Sequence, residues 1–128
     1  MKIRFLTLSL IVITLILFSC GDDSKDSSPN NQKFNKEDFY GVWEENGSES
    51  SGCTEVIKID ATKFYFGIKC GADFTYDNGA TYTFEANEFA FSNSGYWRFK
   101  ILSKTNSTFK TQRFIETADM GEFNYTKL

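Results

Sequence analysis

The sequence predicts an all-β fold: a single antiparallel up-and-down barrel of about eight strands, entered through a short N-terminal helical turn. Three observations carry this expectation. Aromatic side chains make up 17% of the 128 residues, against one proline, a composition that suits pleated, half-buried surfaces. Short segments alternating apolar and polar residues recur with turn residues between them roughly every 8–12 positions. Two hairpins can be registered residue by residue, and the opposed side chains match in character at all but one pair.

The N-terminal stretch stands apart from that fold. Lys2 and Arg4 give a positive start, and Ile3 through Phe18 is apolar except at Arg4, Thr7, Ser9 and Thr14. Positive start, short apolar core and the small Ser19 describe a secretory signal. The run falls short of the roughly twenty residues a spanning helix needs. Leu17-Phe18-Ser19-Cys20 resembles the lipobox of bacterial lipoproteins, departing from it at Phe18, where a small or β-branched residue is commoner. The resemblance implies cleavage before Cys20, fatty acylation of its thiol and an exported protein anchored by lipid to the outer membrane. Residues 1–19 are then a lipoprotein signal peptide. Residues 20–33 are the lipidated cysteine and a flexible acidic tether, since Gly21 through Lys33 offers no large apolar side chain to offset its ordering entropy. Asp22, Asp23 and Asp26 resemble the export signals of surface-displayed lipoproteins, which would place the domain at the cell surface.

Removing residues 1–19 from 128 leaves 109, enough for one domain, at 34–128. Lys2 and Arg4 leave with the signal, so 12 basic residues remain against 17 acidic ones, a net charge near −5. No basic patch suits a phosphate backbone, so nucleic acid is not expected as a partner. Histidine is absent, which removes the commonest acid–base and metal-binding side chain. Glu44, Glu45, Glu85 and Glu88 have no base or nucleophile at a telling spacing, and Asp73, Asp77 and Asn78 lack the spacing of a calcium loop. The expectation is a non-enzyme with no catalytic residues, metal or cofactor.

Order begins at Phe34. Asn35 is a good N-cap, Lys36-Glu37-Asp38 a first turn with acids at its positive end, and Phe34 and Phe39 take the positions of a hydrophobic staple. That helix ends near Gly41. Strands are expected near 42–46, 54–60, 63–70, 72–77, 80–86, 88–92, 96–103, 108–115 and 122–127. Asn78-Gly79 reads as the strongest hairpin turn, with Asn93-Ser94-Gly95 and Thr105-Asn106 marking two more.

With Ala61-Thr62 as a turn, directly opposed residues have numbers summing to 123. Ile59 faces Phe64, Ile57 faces Phe66, Glu55 faces Ile68 as the one mismatch, and Cys53 faces Cys70. For a two-residue loop these are the non-hydrogen-bonded pairs, where Cα atoms come closest. A Cys53–Cys70 disulfide fits both that geometry and an exported chain. Closing sixteen intervening residues is worth about 3 kcal/mol in the chain-entropy treatment. The rival is a redox or metal-binding pair, which the missing histidines and the absence of Cys-x-x-Cys spacing disfavour. With Ala86-Asn87 as a second turn, Phe84 faces Phe89 and Tyr82 faces Phe91. A meander built of such hairpins closes into a barrel to remove its edges.

Gly41-Val42-Trp43, just after a short helix, resembles the Gly-x-Trp motif of the lipocalins. Trp97 through Leu102 with Thr105 through Phe109 is similar to the penultimate hairpin of small bacterial lipocalin-like (calycin-like) lipoproteins. In that family a late-strand arginine packs over the first-strand tryptophan, and the resemblance assigns that place to Arg113. Gly41, Trp43 and Arg113 would then close one end of the barrel. The resemblance further implies a small apolar ligand in the barrel mouth. Phe64, Phe66, Tyr82, Phe84, Phe89, Phe91, Trp97 and Phe99 are the inward aromatics that would line such a pocket, or fill it, since eight strands leave an interior just wide enough for side chains. If they fill it, the alternative is a surface module binding a protein or glycan through its longest polar loops, 46–53 and 116–121.

Overall fold

The computed structural model describes residues 32–91 and 97–128. Cys20, nearly all of the tether and the Asn93-Ser94-Gly95 turn lie outside the described residues. A single 3₁₀ turn, Lys36–Phe39, precedes β1 (Gly41–Glu45), β2 (Cys53–Ile59), β3 (Lys63–Cys70), β4 (Asp73–Tyr76) and β5 (Ala80–Glu85). Then follow β6 (Glu88–Phe91), β7 (Trp97–Lys104), β8 (Thr108–Ile115) and β9 (Ala118–Lys127). The helical turn is as the caps predict. Asp38 N–H donates to Asn35 O, and Asn35 N–H donates to the Asp38 carboxylate at 3.2 Å. Phe34 and Phe39 meet edge to face at 6.0 Å.

All strand pairs are antiparallel. β1 pairs with β2, β2 with β3, β3 with β5, and each strand from β5 onward with the next; β9 returns to β1 and closes an eight-stranded barrel. Both registered hairpins are as expected. Ile59↔Phe64, Ile57↔Phe66, Glu55↔Ile68 and Cys53↔Cys70 are opposed, as are Phe84↔Phe89 and Tyr82↔Phe91. The disulfide joins Cys53 to Cys70 across a Cα–Cα distance of 4.3 Å.

Two turn readings need correction. Asn78-Gly79 does not form a hairpin: β4 and β5 both pair with β3, β4 along Gly67–Cys70 and β5 at Lys63 and Phe64. The chain runs on in one direction, so there is nothing to reverse. Asp77 makes this link instead. Its carboxylate accepts N–H groups from Phe66 and Gly79, and its own N–H donates to Phe66 O. The 116–121 segment is not a long loop either. β9 begins at Ala118, opposite Ile115, and only Glu116-Thr117 turns. Asp119, Met120 and Gly121 carry turn-like composition because the register slips there, with Gly121 at φ +94° opposite Arg113 and Asp119 opposite Phe114.

The core occupies the end of the barrel crossed by the helical turn. Phe39 has no exposed surface and packs on Phe84, Phe89 and Phe109 at 5.4–5.7 Å. Trp43 is equally buried, and its indole Nε1–H donates to Phe39 O at 2.7 Å. This bond ties the plug to the first strand. Gly41 has φ +130°, and a Cβ there would meet the Lys127 stem at 3.2 Å.

Candidate functional site

Inward positions on each strand alternate, so the residue two beyond a core position looks inward one step nearer the other end. Beyond Trp43 that residue is Glu45. Beyond Ile57 it is Glu55, beyond Phe64 it is Phe66, before Phe99 it is Trp97, and beyond Thr111 it is Arg113. These side chains surround the open mouth, where a cavity of about 570 Å³ is walled by Ile57, Phe66, Ile68, Thr75 and Trp97. Its polar lining includes Glu45, Glu55, Asp77 and Arg113.

Of the eight aromatics named as lining candidates, only Phe66 and Trp97 line this cavity. Phe64, Phe89, Phe91 and Phe99 are buried in the core, packed edge to face or tilted against one another at 4.7–5.8 Å. Tyr82 and Phe84 pack against that core near the closed end, and the Tyr82 hydroxyl donates to Asp60 O at 2.6 Å. The lower barrel is therefore filled and the upper part open. Each strand contributes side chains to both zones.

Arg113 is also placed differently from the lipocalin-like expectation. The cation over Trp43 is Lys127, at 5.3 Å from the ring centre, because Lys127 lies directly opposite Trp43 across the closing β1–β9 pair. Arg113 pairs with Gly121, six residues nearer the mouth along β9. There its guanidinium stacks on Phe123 at 3.8 Å and on Phe99 at 4.9 Å. Its Nη2 donates to Glu45 Oε2 at 2.5 Å and to the Tyr125 hydroxyl, and that hydroxyl donates in turn to Glu45 at 3.1 Å.

Of this triad, Arg113 and Glu45 line the cavity, and Tyr125, which is fully buried, does not. The side chains of Arg113 and Glu45 retain only 11% and 10% exposure, so water screens them little. Burial works against the guanidinium charge. The adjoining Tyr125 hydroxyl and Glu45 carboxylate outweigh it, so the arginine pKa lies above its ordinary value. Burial also pushes the Tyr125 hydroxyl well above the ordinary tyrosine value, with the Arg113 charge pulling the other way. Among the described residues, Arg113 Nε and the Thr111 hydroxyl are buried with no hydrogen-bond partner. No nucleophile–base pair is formed by the triad, and it holds one carboxylate, one guanidinium and one neutral phenol.

The sequence contains a usable signal for Glu45, which shares the parity of Trp43. It contains none for Tyr125 as its partner, because the two are 80 residues apart. Among the described residues no group of three or more cysteine and carboxylate side chains is placed to hold a metal ion. No protein-family model, curated protein or solved structure matches the chain.

Proposed function

We propose that this protein is an exported, lipid-anchored binding protein that holds a small, largely apolar ligand in the barrel mouth without catalysis. The observation carrying this reading is the open cavity of about 570 Å³, apolar and aromatic on its walls, with a few convergent polar groups at its floor. The lipobox-like Leu17-Phe18-Ser19-Cys20 supports outer-membrane anchoring through Cys20, and the Cys53–Cys70 bond suits an oxidising compartment. The tether meets the domain at its closed end. There Asn87 donates to Gln32 O at 2.6 Å and accepts the Phe34 N–H at 2.9 Å. An anchored barrel would thus present its mouth away from the lipid. The alternative, a surface module binding protein or glycan by its loops, loses support because 116–121 is a two-residue turn with a bulge, not a long loop.

The test has two parts. Expression of the full chain with fatty-acid labelling should give an acylated product, and Cys20→Ser should abolish the label and release the protein. Native mass spectrometry of the Cys20→Ser chain after incubation with lipid extract should show an added small-molecule mass, lost on Trp97→Glu. A bare oxidised chain under every condition would refute ligand binding.

A further inference from the structure

We infer that the mouth discriminates by charge, admitting an apolar molecule that ends in an organic cation and disfavouring one that ends in a carboxylate. This deepens the ligand-binding reading and rests on it. Among the described residues, three acidic residues line the cavity, Glu45, Glu55 and Asp77, against one basic residue, Arg113.

That guanidinium is already committed. Glu45 lies 2.5 Å from it, Tyr125 shares the same nitrogen, and Phe123 covers its face at 3.8 Å. Its charge is offset within the floor, so it is a poor counter-ion for an incoming anion. Among the described residues, neither Glu55 nor Asp77 forms an ion pair. Asp77 is tied by hydrogen bonds from Phe66 N–H and Gly79 N–H, which hold the carboxylate in place without neutralising it.

The neighbouring lysines do not reverse this balance. Lys69 is paired with Glu44 at 3.0 Å. Lys58 alternates with the buried Ile57 and Ile59, so it stands on the outer face, over the Tyr65 ring at 5.2 Å and the Tyr76 ring at 5.8 Å. Residues 92–96, Ser-Asn-Ser-Gly-Tyr, carry no acidic or basic side chain. The cavity walls add to the preference, because the negative faces of the Phe66 and Trp97 rings attract a cation and repel an anion.

Each uncompensated carboxylate within about 8 Å of a ligand charge is worth about fivefold in affinity at low salt, and less as salt screens it. The experiment titrates decyltrimethylammonium, decanoate and decanol into the disulfide-bonded Cys20→Ser chain, reading tryptophan emission. The ammonium compound should bind about tenfold or more tightly than decanoate, with decanol between them. Raised salt should narrow the gap, and Glu55→Gln should reduce the cation's advantage about fivefold. Decanoate binding as tightly as the ammonium compound would overturn the charge preference and leave the ligand-binding reading standing. Failure of all three to bind would overturn both.

Discussion

Replacing Glu45 and Arg113, singly and together, tests whether the floor of the mouth is a low-dielectric ion pair. The two side chains are about nine-tenths buried and 2.5 Å apart at their nearest atoms. Unit charges with centres about 4 Å apart attract by about 4 kcal/mol at an effective dielectric of 20. Removing one partner leaves the other buried and uncompensated, at a cost of about 3–5 kcal/mol. Glu45→Met and Arg113→Met should each fall in that range. Arg113→Met should lie at its upper end, because it also removes stacking on Phe123 worth about 1 kcal/mol. The double variant buries no unpaired charge and should cost far less than the two single changes together, giving a coupling energy of about 3 kcal/mol. The assay is urea unfolding of all four chains with the disulfide intact, comparing midpoints at unchanged slope. A coupling below about 0.5 kcal/mol would refute the reasoning, since it would mean that water in the mouth screens the pair as it does at a surface.

Other parts of the structure make separate predictions. Cys53→Ala with Cys70→Ala should lower unfolding free energy by about 3 kcal/mol, since the bond spans a sequence separation of 17, and reducing the wild-type protein should reproduce most of that loss. Trp43→Phe should destabilise by about 2–3 kcal/mol in the same assay, because the Phe39 carbonyl is left buried without its donor. Gly67→Ala should detach β4, since a Cβ there would sit 2.4 Å from the Thr75 carbonyl; hydrogen exchange at Asp73–Tyr76 should accelerate while β8 and β9 stay protected. Tyr125 resists ionisation when folded, so its contribution is fully present below the unfolded pKa of 10 and is lost as pH rises above it. Thermal melts of Tyr125→Phe should therefore fall less steeply than wild type above about pH 10.

The parts of this fold legible in the sequence are those set by neighbours along the chain. Alternation and a two-residue turn determine a hairpin's register, because a slip by one residue would send every apolar side chain to the wrong face. Ile59↔Phe64 through Cys53↔Cys70 follow from that rule alone, as does the Phe34–Phe39 staple around a capped turn. Turn composition was a weaker guide. Asn78-Gly79 has the right residues for a reversal, yet β3 accepts both flanking strands on one edge, and Asp77 bonds to β3 in a way no local pattern announces.

The mouth was decided by closure. Whether an inward residue fills the core or lines a cavity depends on its height in the barrel, and that height is set only when β9 pairs with β1. That pairing brings Lys127 to Trp43 and leaves Arg113 several residues up the wall, where Glu45 and Tyr125 meet it. Loop closure over some eighty residues carries no local signature. The sequence by itself therefore determined the strands, their inward faces and the disulfide, through the two-residue period of the pleat. Only the tertiary structure decided which inward residues share a level, and so which aromatics pack the core and which charges line the cavity.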